Sequence, residues 1–253
     1  MSTAIGTIEA LFRYPVKSMA GERLEAAQLG WHGIDGDRRF ALRRINDRVD
    51  FPWLSAGRLP ELVRFTPFRC DSGAQPDLPT HVRTPDGAEM PIFSDDLAAE
   101  VERRYGAPVQ MMRMKHGIFD DASISVIATD TVNEISRLAG INPDVRRFRP
   151  NILMRPLQST ASQPVLFQED AWVGGALTFG EGKDAPAVAV TMRDLRCAML
   201  NIDPDSASLD LEMMKTVVRL NQNNAGVYGT VTRAGELAVG QKIFFHPADA
   251  NSR

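Results

Sequence analysis

Ala187-Val188-Ala189-Val190-Thr191-Met192-Arg193-Asp194-Leu195-Arg196-Cys197 is the stretch on which the reading of this chain turns. Its apolar alternating start predicts a strand over Val188 to Met192. That strand leads to a cysteine with one arginine immediately before it and another at Arg193. Nearby positive charge favours thiolate over thiol, the form that binds soft metals or attacks electrophiles. A free cysteine is as readily a small buried hydrophobe. Only two cysteines occur in 253 residues, so neither a disulfide framework nor a cysteine-rich metal cage is available.

Outward from this stretch the chain is written mainly in short β-rich runs bounded by Gly, Pro and Asp. Thr7 to Phe12, Arg39 to Ile45, Leu62 to Phe65 and His81 to Arg83 read as strands in the first half. Pro85-Asp86-Gly87 reads as a turn, because proline presets φ and glycine accepts a positive one. Asp95 to Tyr105 reads as a helix with Ser94 as cap, acids in its first turn, Arg103 and Arg104 in its last, and Gly106 beyond. Ser123 to Ala128 reads as a strand. Thr131-Val132-Asn133-Glu134 has the spacing of a capping box. Val132, Ile135 and Leu138 then form one apolar stripe before Gly140. Asn151 to Met154, Leu177 to Phe179, Val227 to Thr232 and Lys242 to Phe245 complete the strands, and Leu209 to Leu220 reads as a further helix. With no regular βαβ alternation, the fold class is mainly β with peripheral helices (α+β), built on barrels. Asp71 to Pro79 and Gln158 to Pro164 read as loops.

Composition sets bounds on function. A chain this long buries roughly 70–75% of its extended surface and folds without disulfides. Its 43% apolar and 24% charged residues are those of a globular protein. A net charge of −3 lacks the basic face of nucleic-acid binding. No apolar run reaches the ~20 residues of a membrane helix, and Met1 to Gly6 has no basic-then-apolar signal pattern. The expectations are no nucleic acid, no membrane and a reducing cytoplasm.

Several chemistries are not written here. There is no Walker loop, dinucleotide fingerprint or nucleophile elbow. The four histidines lack zinc-ligand spacing. What is present is a set of cations and small polar residues at strand ends: Lys17 and Ser18 after Pro15, Arg38, Arg149 and Asn151 around Pro150, and Arg196. Guanidinium forks suit phosphate oxygens, and hydroxyls and amides suit heterocycle edges. Any one such residue alone is most often solvated. Arg146-Arg147 reads as a solvated charged turn rather than a phosphate clamp, and Cys70 as inert and packed.

Tyr14-Pro15-Val16-Lys17-Ser18, Gly33-Ile34-Asp35-Gly36-Asp37-Arg38-Arg39-Phe40, Phe148-Arg149-Pro150-Asn151-Ile152, Glu169-Asp170-Ala171-Trp172 and Gly226-Val227-Tyr228-Gly229 occur in that order. Together with the Arg196-Cys197 pair they resemble the MOSC family with its N-terminal β-barrel partner domain, and most closely the mitochondrial amidoxime reducing component and its bacterial relatives. The resemblance runs from about Ile5 to Phe245 and implies an N-terminal β domain over 1–117 and a MOSC β-barrel domain over 118–253. It implies the molybdenum cofactor, Mo-molybdopterin, as ligand, with Cys197 as metal ligand. Lys17, Ser18, Arg38, Ser123, Arg149, Asn151, Arg196 and Tyr228 are the implied cofactor contacts. Asp203, in Ile202-Asp203-Pro204, is implied as a catalytic polar residue near the metal. Where the family often carries Ser before Arg-Cys, Leu195 stands here, and a Thr-Ser pair is Ala122-Ser123. Each change removes one hydroxyl donor, worth ~1 kcal/mol.

The activity implied is two-electron reduction of N-hydroxylated or N-oxide compounds. No flavin, haem or iron–sulfur motif is written here, so the implied partner is a separate electron-transfer protein, ferredoxin-like or a flavoprotein. Two other readings keep the cysteine: a persulfide that delivers sulfur, and a non-catalytic cofactor carrier.

Overall fold

The computed structural model describes residues 2–46, 51–71, 77–157 and 165–248. The first half contains β1 (Thr3–Arg13), β2 (Glu22–Leu24), β3 (Ala26–Gly30), β4 (Gly33–Ile34), β5 (Phe40–Arg44), β6 (Thr66–Phe68), β7 (His81–Arg83), β8 (Glu89–Pro91), α1 (Asp95–Tyr105) and β9 (Val109–Arg113). The second half contains β10 (Ile124–Ala128), α2 (Thr129–Ala139), β11 (Ile152–Pro156), β12 (Ala176–Phe179), β13 (Ala187–Leu195), α3 (Leu211–Asn221), β14 (Asn224–Arg233), β15 (Gly235–Ala238) and β16 (Lys242–His246).

Seven strands, in the order β11-β10-β14-β13-β12-β16-β1, close into a barrel through the β1–β11 pairing, and β2 extends it beyond β1. Closure removes the sheet edges. Ile8, Val126, Ile152, Leu177, Val188, Val227 and Ile243 fill its core. Two short positions fix the wall around β14. A side chain at Gly226, whose φ is +82°, would reach the Val126 carbonyl at 2.7 Å, and one at Gly229 would reach the Ala189 carbonyl at 2.7 Å. Strands therefore pass too close for any side chain at either end of Gly226-Val227-Tyr228-Gly229.

A second core gathers Val16, Phe40, Leu54, Leu62, Phe65, Val82 and Val101 beneath the β5–β9 and β6–β7–β8 sheets. A third lies under α2 and α3, with Val132, Ile135, Phe148 and Val217. The two halves of the chain share sheets: β1 belongs to the large barrel, and β15 pairs with β3.

The helix read at Asp95 to Tyr105 is present, with the Ser94 hydroxyl accepting from the Leu97 amide and Gly106 left-handed beyond its end. Three local readings are corrected. Leu62 to Phe65 is no strand but a 3₁₀ turn over Pro60–Arg64, which Pro60 starts; the strand begins at Thr66. Thr131 does not form a capping box. The helix already starts at Thr129, and the Thr131 hydroxyl donates to buried Glu169 at 3.0 Å. Leu138 is exposed, so the α2 stripe ends at Ile135. The loop read at Gln158 to Pro164 lies outside the described residues, as do 72–76 of the other.

Candidate functional site

β13 is the element that builds the site. Its ladder with β14 is irregular between Val190 and Met192 and again between Arg193 and Leu195. Such irregularities re-aim side chains at a sheet rim. Asp194 is thereby buried, Leu195 stands exposed, the Arg196 side chain turns in, and Cys197 is exposed. A cleft of about 380 Å³ opens here, and it gathers Lys17, Ser18, Arg38, Arg149, Arg196, Cys197 and Tyr228. These seven of the ten expected residues come from five separate stretches of chain.

The backbone around the cleft is strained. Ser18, Arg38 and Arg149 have φ of 68°, 49° and 51°, each in the left-handed region with a side chain attached. Each costs on the order of 1 kcal/mol, and such residues cluster at binding sites because the fold holds them there. The twist carries the Arg38 and Arg149 guanidiniums against the Tyr14 ring, at 5.0 and 4.2 Å from its centroid.

The four cations are held differently. Arg38 pairs with buried Asp37 and donates to the Arg149 carbonyl at 3.2 Å; Asp37 keeps it firmly charged. Lys17 Nζ lies 2.6 Å from Asp120 Oδ1 and 5.4 Å from the Phe51 ring. Arg196 is an internal brace: Nε donates to the Ala225 carbonyl at 2.8 Å and Nη1 to the Phe148 carbonyl at 2.7 Å. Its Nη2 is 3.1 Å from Asp194 Oδ2, an ion-pair distance without hydrogen-bond alignment. Arg149 donates to the Met19 carbonyl at 2.7 Å and has no carboxylate partner among the described residues. Burial pushes it down to about 10.

Asp194 was not expected as a site residue. It is 1% exposed, accepts from Ser125 Oγ at 2.9 Å, and faces Arg196, Arg38 and Tyr228. Burial raises its pKa to about 6 against those neighbours. Tyr228 is pushed up by burial and by Asp194, so its phenol stays neutral. The acid sits in the quoted cysteine stretch, but only its burial separates it from a surface aspartate. Asp37 was likewise missed as an anchor: it accepts from the Tyr14 amide at 2.7 Å and from Asn151 Nδ2 at 3.0 Å.

Three expected residues lie outside this lining. Asn151 is buried and spends its amide on the Phe12 carbonyl, Asp37 and the Ser125 amide, so it positions Asp37 and β10. Ser123 precedes β10, and its carbonyl packs against Gly33. Asp203 folds its own turn, accepting from the Ser206 amide at 2.8 Å, and pairs with Arg147 at 2.7 Å. Its carboxylate is a counter-charge of a buried guanidinium. That guanidinium is the next correction: Arg147 is 2% exposed and bound by Asp203, Asp210 and the Asn201 carbonyl, so it is no solvated turn. Arg146 is half-exposed but paired with Asp144 and Asp205. Cys70 is exposed rather than packed, with Sγ 3.0 Å from His81 Nδ1. A larger cavity of about 440 Å³ adjoins the cleft through Arg147, Arg149 and Met199 but contains no cysteine.

The donor set suits a polyanionic, heteroatom-rich ligand. Arg149 is a half-buried guanidinium with no ion-paired carboxylate among the described residues, and Lys17 and Arg38 line the same cleft as the exposed thiol. Among the described residues no group of three or more His, Cys, Asp or Glu is arranged to hold a metal ion. The molybdenum cofactor fits these residues: its phosphate suits the cations, and its metal needs one protein sulfur.

No curated protein matches the chain. Among solved structures, it is similar to the YUAD protein of Bacillus subtilis, at 14% identity and TM-score 0.51, covering 98% of this chain and 99% of that one. It is also similar to YiiM of Escherichia coli, at 11% identity and TM-score 0.42, covering 94% and 72%. YiiM of Geobacillus stearothermophilus shares 15% identity over 51% of this chain and 57% of its own, with TM-score 0.37. Among the described residues no helix is long and apolar enough to cross a membrane. The MOSC N-terminal beta barrel domain matches residues 5–120 and the MOSC domain residues 95–244, and with that match, more than half its length, the chain belongs to the MOSC family.

Proposed function

We propose that this protein is a molybdenum-cofactor-dependent reductase of N-hydroxylated and N-oxide compounds. The observation that carries the reading is an exposed thiol in one cleft with Lys17, Arg38 and Arg149, the last without an ion-paired carboxylate among the described residues. For an amidoxime the reaction is R–C(NH₂)=N–OH + 2 e⁻ + 2 H⁺ → R–C(=NH)NH₂ + H₂O. When bound, the cofactor supplies a metal that shuttles between oxidation levels two electrons apart. The chain supplies position and field. Cys197 ligates the metal through Sγ, while Lys17, Arg38 and Arg149 hold the phosphate and Ser18 offers a hydroxyl. Asp194 holds Arg196 in place and keeps neutral Tyr228 at the cleft wall. The electrons come from a separate ferredoxin-like protein or flavoprotein, through a small transient contact.

The test is expression in a cofactor-competent host, with molybdenum analysis and turnover of an amidoxime by reduced viologen dye. The expected result is bound molybdenum and turnover in the parent protein. In Cys197→Ser, activity falls by at least ~100-fold with an unchanged circular dichroism spectrum, the scale of losing a group that acts in the transition state. Retained turnover in that variant overturns the ligand assignment. Bound cofactor without turnover favours carriage, and an extra sulfur on Cys197 in metal-free protein favours sulfur transfer.

A further inference from the structure

The mouth of the cleft carries apolar side chains that no core claims. At the end of β13 Asp194 is buried and the Arg196 guanidinium is turned in, whereas Leu195 and Cys197 are exposed. Leu195 lines the same cleft as the thiol, with 61% of its surface open. From a different segment Phe51 lines the same cleft, 47% exposed, its ring 5.4 Å from Lys17 Nζ. Neither belongs to any of the three hydrophobic clusters. Single exposed apolar residues need no explanation. Two of them, brought from distant positions to the cleft that holds the thiol, create an apolar rim above a cationic interior.

We propose that Leu195 and Phe51 are specificity-determining residues, selecting substrates whose N–O group is borne on an apolar, preferably aromatic, body. The inference rests on the reductase reading and adds a substrate class to it. A small polar hydroxylamine leaves both side chains wet. An aryl group covers them, and burying apolar surface is favourable in proportion to the area covered. Position 195 matters most, since a serine there would present a hydroxyl where this chain presents an isobutyl group.

The experiment compares benzamidoxime with acetamidoxime in molybdenum-loaded protein, using reduced viologen dye as donor, alongside calorimetric titration with the products benzamidine and acetamidine. The expected kcat/KM is about tenfold or more in favour of benzamidoxime, from the added apolar area. Leu195→Ser and Phe51→Ala each lower the benzamidoxime value by roughly three- to tenfold through KM, and weaken benzamidine binding likewise. Acetamidoxime turnover stays unchanged. Both positions are exposed, so neither substitution threatens folding. Equal handling of the two substrates, unaltered in both variants, overturns the proposal while the reductase reading stands. No turnover of either substrate by the parent protein overturns that reading and the proposal together. Loss of molybdenum in Leu195→Ser would make Leu195 a cofactor contact and also overturn the proposal.

Discussion

Arg147, which is buried, and Arg149, which is half-buried, stand two residues apart and are put to opposite uses. Arg147 is closed on itself: Nη2 lies 2.7 Å from Asp203 and 2.5 Å from Asp210, and Nη1 donates to the Asn201 carbonyl at 3.1 Å. Arg149 rests on the Tyr14 ring and one carbonyl, and no carboxylate among the described residues is ion-paired with it; Asp37 and Asp120 act on it only at longer range. Phe148 between them is anchored in the α2–α3 core, and the left-handed turn at Arg149 sends the second guanidinium to the cleft. A buried cation with its counter-charge is part of the scaffold; one without is disposed toward an external anion.

Substituting each arginine by methionine puts this contrast at risk. Arg147→Met leaves Asp203 and Asp210 facing each other without their cation. Both carboxylates are partly solvated, so the loss is about 2 kcal/mol rather than the larger penalty of a dry pair, or ~5 °C in Tm by thermal unfolding. Arg149→Met removes a charge that no described carboxylate ion-pairs and leaves Tm equal or higher, but abolishes thermal protection by inorganic phosphate. Equal destabilisation by both would erase the distinction.

Two aspartates extend the contrast to pH. Burial raises Asp194 to about 6, so between roughly pH 4 and 6 the folded state binds a proton that the unfolded state has lost. Stability contributed by this group therefore falls as pH rises through that window. Asp194→Asn removes the fall, a gain on the order of 2 kcal/mol at pH 7 relative to pH 4. Asp203 is lowered, first by the Ser206 amide and further by Arg147, so its contribution is present above the ordinary carboxylate range and lost as pH falls. Asp203→Asn should destabilise at neutral pH and converge with the parent in acid. Urea unfolding across pH 3–8 reads both signs, and the same slope in the two variants would refute the assignment.

The smallest effect separates the two cysteines. Cys70 is exposed beside Thr80 and His81 on the β6–β7 edge and does not line the cleft. Cys70→Ser should change stability by less than ~0.5 kcal/mol and leave molybdenum content unaltered. A loss of bound metal would mean that Cys197 does not act alone.

Much of the architecture was legible. Strand runs from Thr7 to Lys242, the Ser94–Gly106 helix frame and the barrel class all follow from periodicity and capping chemistry, which act within a few residues. The misreadings share one cause. Leu62 to Phe65 has a strand's apolar content, but Pro60 and the second core bend it into a turn. Thr131 and Glu134 have a box's spacing, but Glu169, far along the chain, takes the threonine hydroxyl. In each case the deciding partner lies outside the local window.

The amino-acid order by itself determined where most strands and helices run, and its family resemblance implied ten site residues, of which Cys197, Lys17, Ser18, Arg38, Arg149, Arg196 and Tyr228 line one cleft and Ser123, Asn151 and Asp203 do not. Tertiary structure decided which charges are spent and which are free. It closed Arg147 and Arg196 with carboxylates or carbonyls, left Arg149 without an ion-paired carboxylate among the described residues, buried Asp194 and turned Leu195 outward. The reason is range: hydrogen-bonded periodicity is set by neighbours in sequence, whereas burial and charge compensation depend on groups that only folding brings within a few ångströms.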